Sequence, residues 1–209
     1  AAPSPLAGFA PLLGVHGLSL LVALSGALLA RWRLGLPVLA TLGIAGFGLQ
    51  QVAWTTPVGQ PISVALVQGN VPQEMKFRPE AFFRTLDLYR ELITQNPAQL
   101  TVLPETAIPV FLDQIPPDYL DELKALAKRQ NGDIIFGTLT GVGDSYFNSA
   151  VSIGNSPLQV YSKNHLVPFG EYIPFGDLAY QWFGLTAFAA QAGNTYSAGP
   201  GPQVLDLGR

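Results

Sequence analysis

Two stretches of the chain carry residues that could do chemistry. The first is Leu103-Pro104-Glu105-Thr106. Leu100 to Leu103 reads as a short strand that Pro104 stops, so Glu105 falls at the strand's carboxyl end. In open α/β sheets that edge is where ligands sit. Partial burial there would raise a glutamate's pKa and make it a usable general base. From position alone, a solvated loop glutamate is the plainer reading. The second stretch is Tyr161 to Tyr172. Lys163 ends another strand, and Glu171 follows eight residues later across an apolar spacer holding Pro168 and Gly170. A lysine held near two carboxylates stays charged and can stabilise a developing oxyanion. A surface Lys–Glu pair is the alternative and would be worth little, but the apolar spacer argues against a simple surface loop.

The elements that must position these residues follow from periodicity and turn chemistry. Ile62 to Gln68 reads as a buried strand, rich in β-branched residues. Pro79 to Gln95 reads as an amphipathic helix, with Pro79 at the first helical position and Phe82, Leu86, Tyr89 and Ile93 on one stripe. Pro117 to Gln130 reads as a second helix facing inward through Leu120, Leu123 and Ala127, stopped by Asn131-Gly132. Asp133 to Thr138 is a third strand. Tyr146 to Ile153 and Leu158 to Lys163 form a hairpin across Gly154-Asn155-Ser156-Pro157. Val204 to Leu207 begins what would be a further strand. The order β-α-β-α-β-β-β predicts an α/β layered fold with helices packed on the sheet. The expectation is that residues 57–209 are the first part of such a domain, with strands still to come.

The chain before this domain is of another kind. Its first 73 residues contain two formal charges, Arg31 and Arg33, and every acidic residue lies at Glu74 or later. Pro11 to Ala30 and Leu36 to Trp54 are apolar runs, each reaching roughly the 30 Å of a hydrocarbon core at about 1.5 Å per helical residue. Glycine and alanine recur in both, as where membrane helices approach closely. Trp32 and Trp54 sit at the ends, where amphipathic rings favour the interface. Residues 1–56 are therefore expected to be a membrane region with two transmembrane helices; buried core helices would show a charged face over this length. Arg31-Trp32-Arg33 carries all the positive charge near the spans, which places that turn on the cytoplasmic side and the following domain on the opposite, periplasmic or extracellular, side. His16 lies inside a span, as a functional candidate or a helix-packing hydrogen bond. Thr55 to Pro61 is a linker. No basic region precedes the first apolar run, so no signal peptide is expected, and the chain reads as an internal piece of something longer.

Composition excludes several classes. The net charge is −3 and no basic cluster appears, which argues against a nucleic-acid partner. There are no cysteines, so these residues hold no disulfide, cysteine metal site or cysteine nucleophile. No metal or cofactor is expected.

Leu-Pro-Glu-Thr at 103–106 and Lys-Asn-His-Leu-Val-Pro-Phe-Gly-Glu-Tyr at 163–172 resemble two signature blocks of the nitrilase, or carbon-nitrogen hydrolase, superfamily. Val67 to Gln73 and Tyr146-Phe147-Asn148-Ser149 fit the same family. With two apolar spans ahead of the domain, the resemblance is strongest to its membrane-anchored N-acyltransferase members. It implies an αββα fold and a Glu-Lys-Cys triad: Glu105 the general base, Lys163 the oxyanion-stabilising lysine, Glu171 an additional active-site glutamate. Phe77, Asn148, His165, Phe169, Tyr172 and Pro174 carry over as substrate-binding positions, Phe77 where the family often has tryptophan. The family's cysteine belongs to a later Cys-Tyr-Glu block that these residues do not contain, so by themselves they should be inactive. The implied reaction moves an acyl chain from a glycerophospholipid, through a cysteine thioester, to the N-terminal amine of a diacylglyceryl-cysteine lipoprotein. The implied location is the bacterial inner membrane, multi-pass, with a periplasmic domain. Ile173 to Ala192, aromatic and nearly uncharged, would cover an acyl-chain pocket at the membrane surface or pack in the core of the completed domain. Two other readings stay open. One is a membrane-anchored amidase or nitrilase acting on a small C–N substrate, which the spans disfavour; the other is a non-catalytic module binding lipid or protein, which the retained Glu105, Lys163 and Glu171 disfavour.

Overall fold

The computed structural model describes residues 4–168, 170–172 and 196–207. The chain divides into two compact units, Ala1–Gln60 and Pro61–Arg209.

The first unit is helical. A 3-10 turn, Pro5–Phe9, leads into α1 (Ala10–Leu29), and α2 spans Trp32–Gln50. Both helices are long and apolar enough to cross a membrane. Their apolar side chains point outward: Val15 is 70% and Ile44 74% exposed, and neither helix carries an acidic residue. The few hydroxyls in the runs satisfy themselves. Ser19, Ser25 and Thr41 each donate to the carbonyl four residues earlier, at 3.0, 2.7 and 3.0 Å. Such bonding within a helix is what an environment without water demands. Glycine lets the chain close on itself: a Cβ on Gly8 would sit 2.0 Å from the Gly46 carbonyl oxygen, and one on Gly46 would sit 2.1 Å from that of Pro5. The turn between the helices is shorter than expected. It occupies Ala30 and Arg31 only, since Trp32 and Arg33 already belong to the first turn of α2, where the Arg33 guanidinium lies 5.4 Å from the Trp32 ring centroid. His16 is exposed and forms no interhelical hydrogen bond among the described residues.

The second unit is a five-stranded sheet in the order β1-β2-β3-β4-β5, comprising β1 (Val64–Leu66), β2 (Leu100–Val102), β3 (Asp133–Val142), β4 (Ser145–Gly154) and β5 (Gln159–Ser162). The first three strands run parallel, and β3-β4-β5 is an antiparallel meander. The α/β class expected from the sequence is the one observed. A short helix, α3 (Gln73–Lys76), and α4 (Pro79–Gln95) connect β1 to β2, and α5 (Pro117–Arg129) connects β2 to β3. Proline opens α4 and α5 where its missing N–H costs nothing, and Glu80 and Asp118 in their first turns suit the helix dipole. Leu86, Tyr89 and Ile93 of α4 and Leu123, Leu126 and Ala127 of α5 pack on Ile134, Phe136, Val151 and Ile153 to form the core. The Tyr119 hydroxyl donates to the Leu86 carbonyl at 3.1 Å and ties the helices together. Burial raises the pKa of that phenol.

Three differences from the sequence expectation go beyond a single residue at the end of an element. The three-residue β2 limits the ladder available to β1, so β1 is shorter than its apolar run. β3 runs on to Val142, because the hairpin closes at Gly143, whose φ of 59° suits glycine. Val204 to Leu207 is not a strand. There the Gln159 side chain takes both backbone groups of Asp206, so a side-chain clasp replaces a ladder.

Candidate active site

The catalytic candidates come together because β2, β4 and β5 deliver them to one end of the sheet. Glu105 follows β2, Lys163 follows β5, and Asn148 lies within β4. Antiparallel pairing sets Ser149 opposite Ser162, and the Lys163 backbone N–H donates to the Asn148 carbonyl at 2.8 Å. The Lys163 ammonium then lies 3.1 Å from Glu105 Oε1 and 2.9 Å from Glu171 Oε1. Asn148 Nδ2 donates to Glu105 Oε1 and, at 3.4 Å, to Glu171 Oε1. Glu171 is the inner carboxylate, its side chain 13% exposed; its Oε2 accepts the Val167 N–H at 2.7 Å. Glu105 is exposed rather than partly buried, its side chain 63% accessible, as the plainer reading of its position had it.

The electrostatics follow from these contacts. Burial works against the charge on Lys163, yet hydrogen bonds and proximity to Glu171 and Glu105 outweigh it and raise its pKa above the ordinary lysine value. Burial likewise works against the Glu171 carboxylate, but bonds from Lys163, the Val167 N–H and Asn148 prevail and hold its pKa below the ordinary value. The site is thus a fixed ammonium between two carboxylates, with an amide bridging the same two carboxylates.

The Glu105 turn is held under strain. Thr106 has φ of 49°, rare for a β-branched residue. Gly137 of β3 passes directly beneath it. The Gly137 N–H donates to the Pro104 carbonyl at 3.3 Å, and its carbonyl accepts the Ile108 N–H at 3.0 Å. A Cβ on Gly137 would lie 2.3 Å from the Thr106 nitrogen. Behind Lys163, residues 196–199 form a strap. Tyr196, Ser197 and Gly199 donate backbone hydrogen bonds to the carbonyls of Glu171, Tyr146 and Lys163, and the Asn164 side chain donates to the Gly199 carbonyl at 2.7 Å. Tyr196 itself is half-buried; burial first, then the charges of Glu171 and Glu105, raises its pKa. Beside the cluster is a cavity of about 300 Å³ lined by Val102, Ile135, Ala150 and Tyr161 with Glu105, Asn148 and Lys163. Such a mostly apolar hollow with a few convergent polar groups is the usual form of a small ligand site.

Glu105, Lys163, Glu171 and Asn148 are therefore brought together as the motifs implied. Phe77 stands 56% exposed at the end of α3, next to Lys76, whose ammonium bonds the Glu105 carbonyl at 3.0 Å. His165 is exposed and forms no hydrogen bond or ion pair with the cluster among the described residues, and Tyr172 is 38% exposed, its backbone bridged to Pro168. Phe169 and Pro174 lie outside the described residues, as does the 173–192 stretch. Sequence reasoning missed Gly137, Lys76 and Tyr196. A glycine inside an otherwise bulky strand was the available signal for the first; nothing in the pattern marks the other two.

Residues 63–194 match the family model of the carbon-nitrogen hydrolases. The chain belongs to that family. It is similar to proteins named apolipoprotein N-acyltransferase: 48% identical to that of Nitrosomonas europaea over 82% of this chain and 36% of the relative, and 43% identical to that of Chromobacterium violaceum over 84% and 36%. The chain thus spans little more than a third of the length of the curated relatives it matches. Among solved structures, XC1258 from Xanthomonas campestris, a CN-hydrolase superfamily protein, is similar at 19% identity with a TM-score of 0.44, covering 70% of this chain and 49% of that one.

Proposed function

We propose that the complete protein transfers an acyl chain from a glycerophospholipid to the N-terminal amine of diacylglyceryl-cysteine apolipoproteins, through a thioester on a cysteine outside these 209 residues. The observation that carries this reading is the Lys163 ammonium set between Glu105 and Glu171 in a carbon-nitrogen hydrolase domain. The name shared by its relatives and the two membrane-length apolar helices support the choice of substrates.

The chemistry divides by atom. Lys163 and Asn148 both donate to Glu105 Oε1, so Oε2 is the oxygen that takes the thiol proton. The thiolate attacks the ester carbonyl carbon. The carbonyl oxygen becomes an oxyanion, and the third Lys163 proton is available to it. Glu105 returns the proton to the departing lysophospholipid oxygen, which leaves the thioester. In the second half Glu105 accepts the proton of the attacking lipoprotein amine, and the thiolate departs. Glu171 holds Lys163 in place and charged throughout. Phe77, and the apolar wall of Val102, Ile135 and Ala150, would meet the acyl chain. His165, Phe169, Tyr172 and Pro174 would line the approach of substrate.

The proposed location of this chemistry is the bacterial inner membrane, a reading that the two membrane-length apolar helices support. With Arg31–Arg33 cytoplasmic, α2 would deliver the chain to the periplasmic side, where both lipid-anchored substrates are met at high local concentration. In the complete protein, Glu105→Gln and Lys163→Ala should each abolish transfer while the fold is retained. Near-normal turnover in either variant would break the assignment. A protein that hydrolyses small amides and transfers no acyl chain would favour the amidase reading instead.

A further inference from the structure

We infer that Lys76 is a positioning residue for Glu105, acting from outside the 103–106 and 163–172 segments of the site; this rests on the reading of Glu105 as the base. Lys76 ends α3, and its ammonium donates to the backbone carbonyl of Glu105 at 3.0 Å, across 29 residues of chain. The need for that bond is visible in the turn. Leu103 is fixed through its N–H on the Ile135 carbonyl, and the Pro104 carbonyl is taken by the Gly137 N–H. The next anchored backbone group is the Ile108 N–H. Between these points lie Glu105 and Thr106, and Thr106 is held at a φ of 49°. Such a conformation persists only where its surroundings over-determine it. Lys76 is the donor that fixes the peptide plane between Glu105 and Thr106, and with it the direction in which the Glu105 side chain leaves the backbone.

The geometry also explains why a charge is used there. A charged donor makes a stronger hydrogen bond than a neutral one, and an ammonium reaches a carbonyl that no strand neighbour can serve. Lys76 is half-buried while the bond itself lies at the exposed edge of the site, so the charge is what lets it compete with water there. The adjoining residue is Phe77, exposed and proposed above to meet the acyl chain. One short helix therefore carries the apolar contact and the clamp on the base, so that a shift of α3 on substrate entry would be felt at Glu105.

The test compares Lys76→Met and Lys76→Arg with the complete wild-type protein, reading kcat, KM for phospholipid and Tm. A base displaced by an ångström costs up to about a hundred-fold in rate. Lys76→Met is expected to lower kcat by about ten-fold or more, with KM and Tm near wild type, because binding groups are untouched. Lys76→Arg, which keeps a charged donor, should restore most of the loss. Turnover of Lys76→Met within about two-fold of wild type would overturn the inference. So would a fall in Tm with kcat and KM moving together, or failure of Lys76→Met to fold, since each marks a merely structural lysine. Glu105→Gln separates the two ideas. If it is inactive while Lys76→Met is normal, only the positioning role fails; if Glu105→Gln turns over normally, the reading of the base itself fails.

Discussion

Gly137→Ala should inactivate the enzyme while leaving the domain folded. The added Cβ would stand 2.3 Å from the Thr106 nitrogen, 2.7 Å from the Pro104 carbonyl oxygen and 2.9 Å from the Glu105 carbonyl carbon. Carbon rests about 3.5 Å from such neighbours, so the shortest contact lacks about 1.2 Å. All three atoms are backbone, so no side chain can swing away. At Gly137, β3 is held on one edge by its pairing with Ala150 of β4 and on the other by hydrogen bonds to the turn itself, at Pro104 and Ile108, so it has little room to retreat. The 104–106 turn must therefore move by about an ångström, and the Glu105 carboxylate moves with it. Displacement of that size costs up to about a hundred-fold in turnover. Overpacking costs about 1–3 kcal/mol in stability, too little to unfold a domain of this size. The assay is acyl transfer from phospholipid to a diacylglyceryl-cysteine peptide by the complete protein, with Tm in parallel. Turnover within about three-fold of wild type and an unchanged Tm would show that the turn does not hold Glu105 as described.

Glu171→Gln should cut turnover by about ten-fold or more by loosening Lys163, and it should flatten the acid side of the stability profile. The folded pKa of Glu171 is depressed, so its contribution is present above the unfolded carboxylate value of about 4.3 and is lost as pH falls through the lower folded value. Thermal unfolding of wild type and variant should therefore converge at acid pH; an equal gap at every pH would contradict it. The pKa of Lys163 is raised, so its contribution is intact below about 10.4 and is lost as pH rises through the higher folded value. The proposed topology can be read by labelling Leu34→Cys, 72% exposed at the start of α2, rather than the neighbouring Gly35, where a Cβ would meet the Leu28 carbonyl oxygen at 1.9 Å. An impermeant thiol reagent should fail to label it in intact cells, and labelling from outside would reverse the orientation.

The parts legible in the sequence were those set by local pattern. α4 begins and ends where Pro79 and the Leu86–Tyr89–Ile93 stripe place it, and the β4–β5 hairpin turns at Gly154-Asn155. Glu105, Lys163 and Glu171 were legible as motifs, and strand order then puts them together. What was not legible depends on distant segments. β1 is shortened by its partner β2, and the 204–207 run is claimed by the Gln159 side chain. The exposure of Glu105 depends on everything that surrounds the strand end. The bond from Lys76 to Glu105 joins the end of α3 to a turn 29 residues away, a spacing that carries no period. α3 is a single turn, too short for periodicity to show.

The most direct measurement of the central claim is the mass of the complete protein after incubation with phospholipid in the absence of acceptor. The account predicts one added acyl chain, labile to hydroxylamine as a thioester is, discharged by a diacylglyceryl-cysteine peptide, and missing in Glu105→Gln and Lys163→Ala. Acylation that proceeds as fast in those two variants as in wild type, or transfer to the peptide with no acylated protein ever formed, would contradict it.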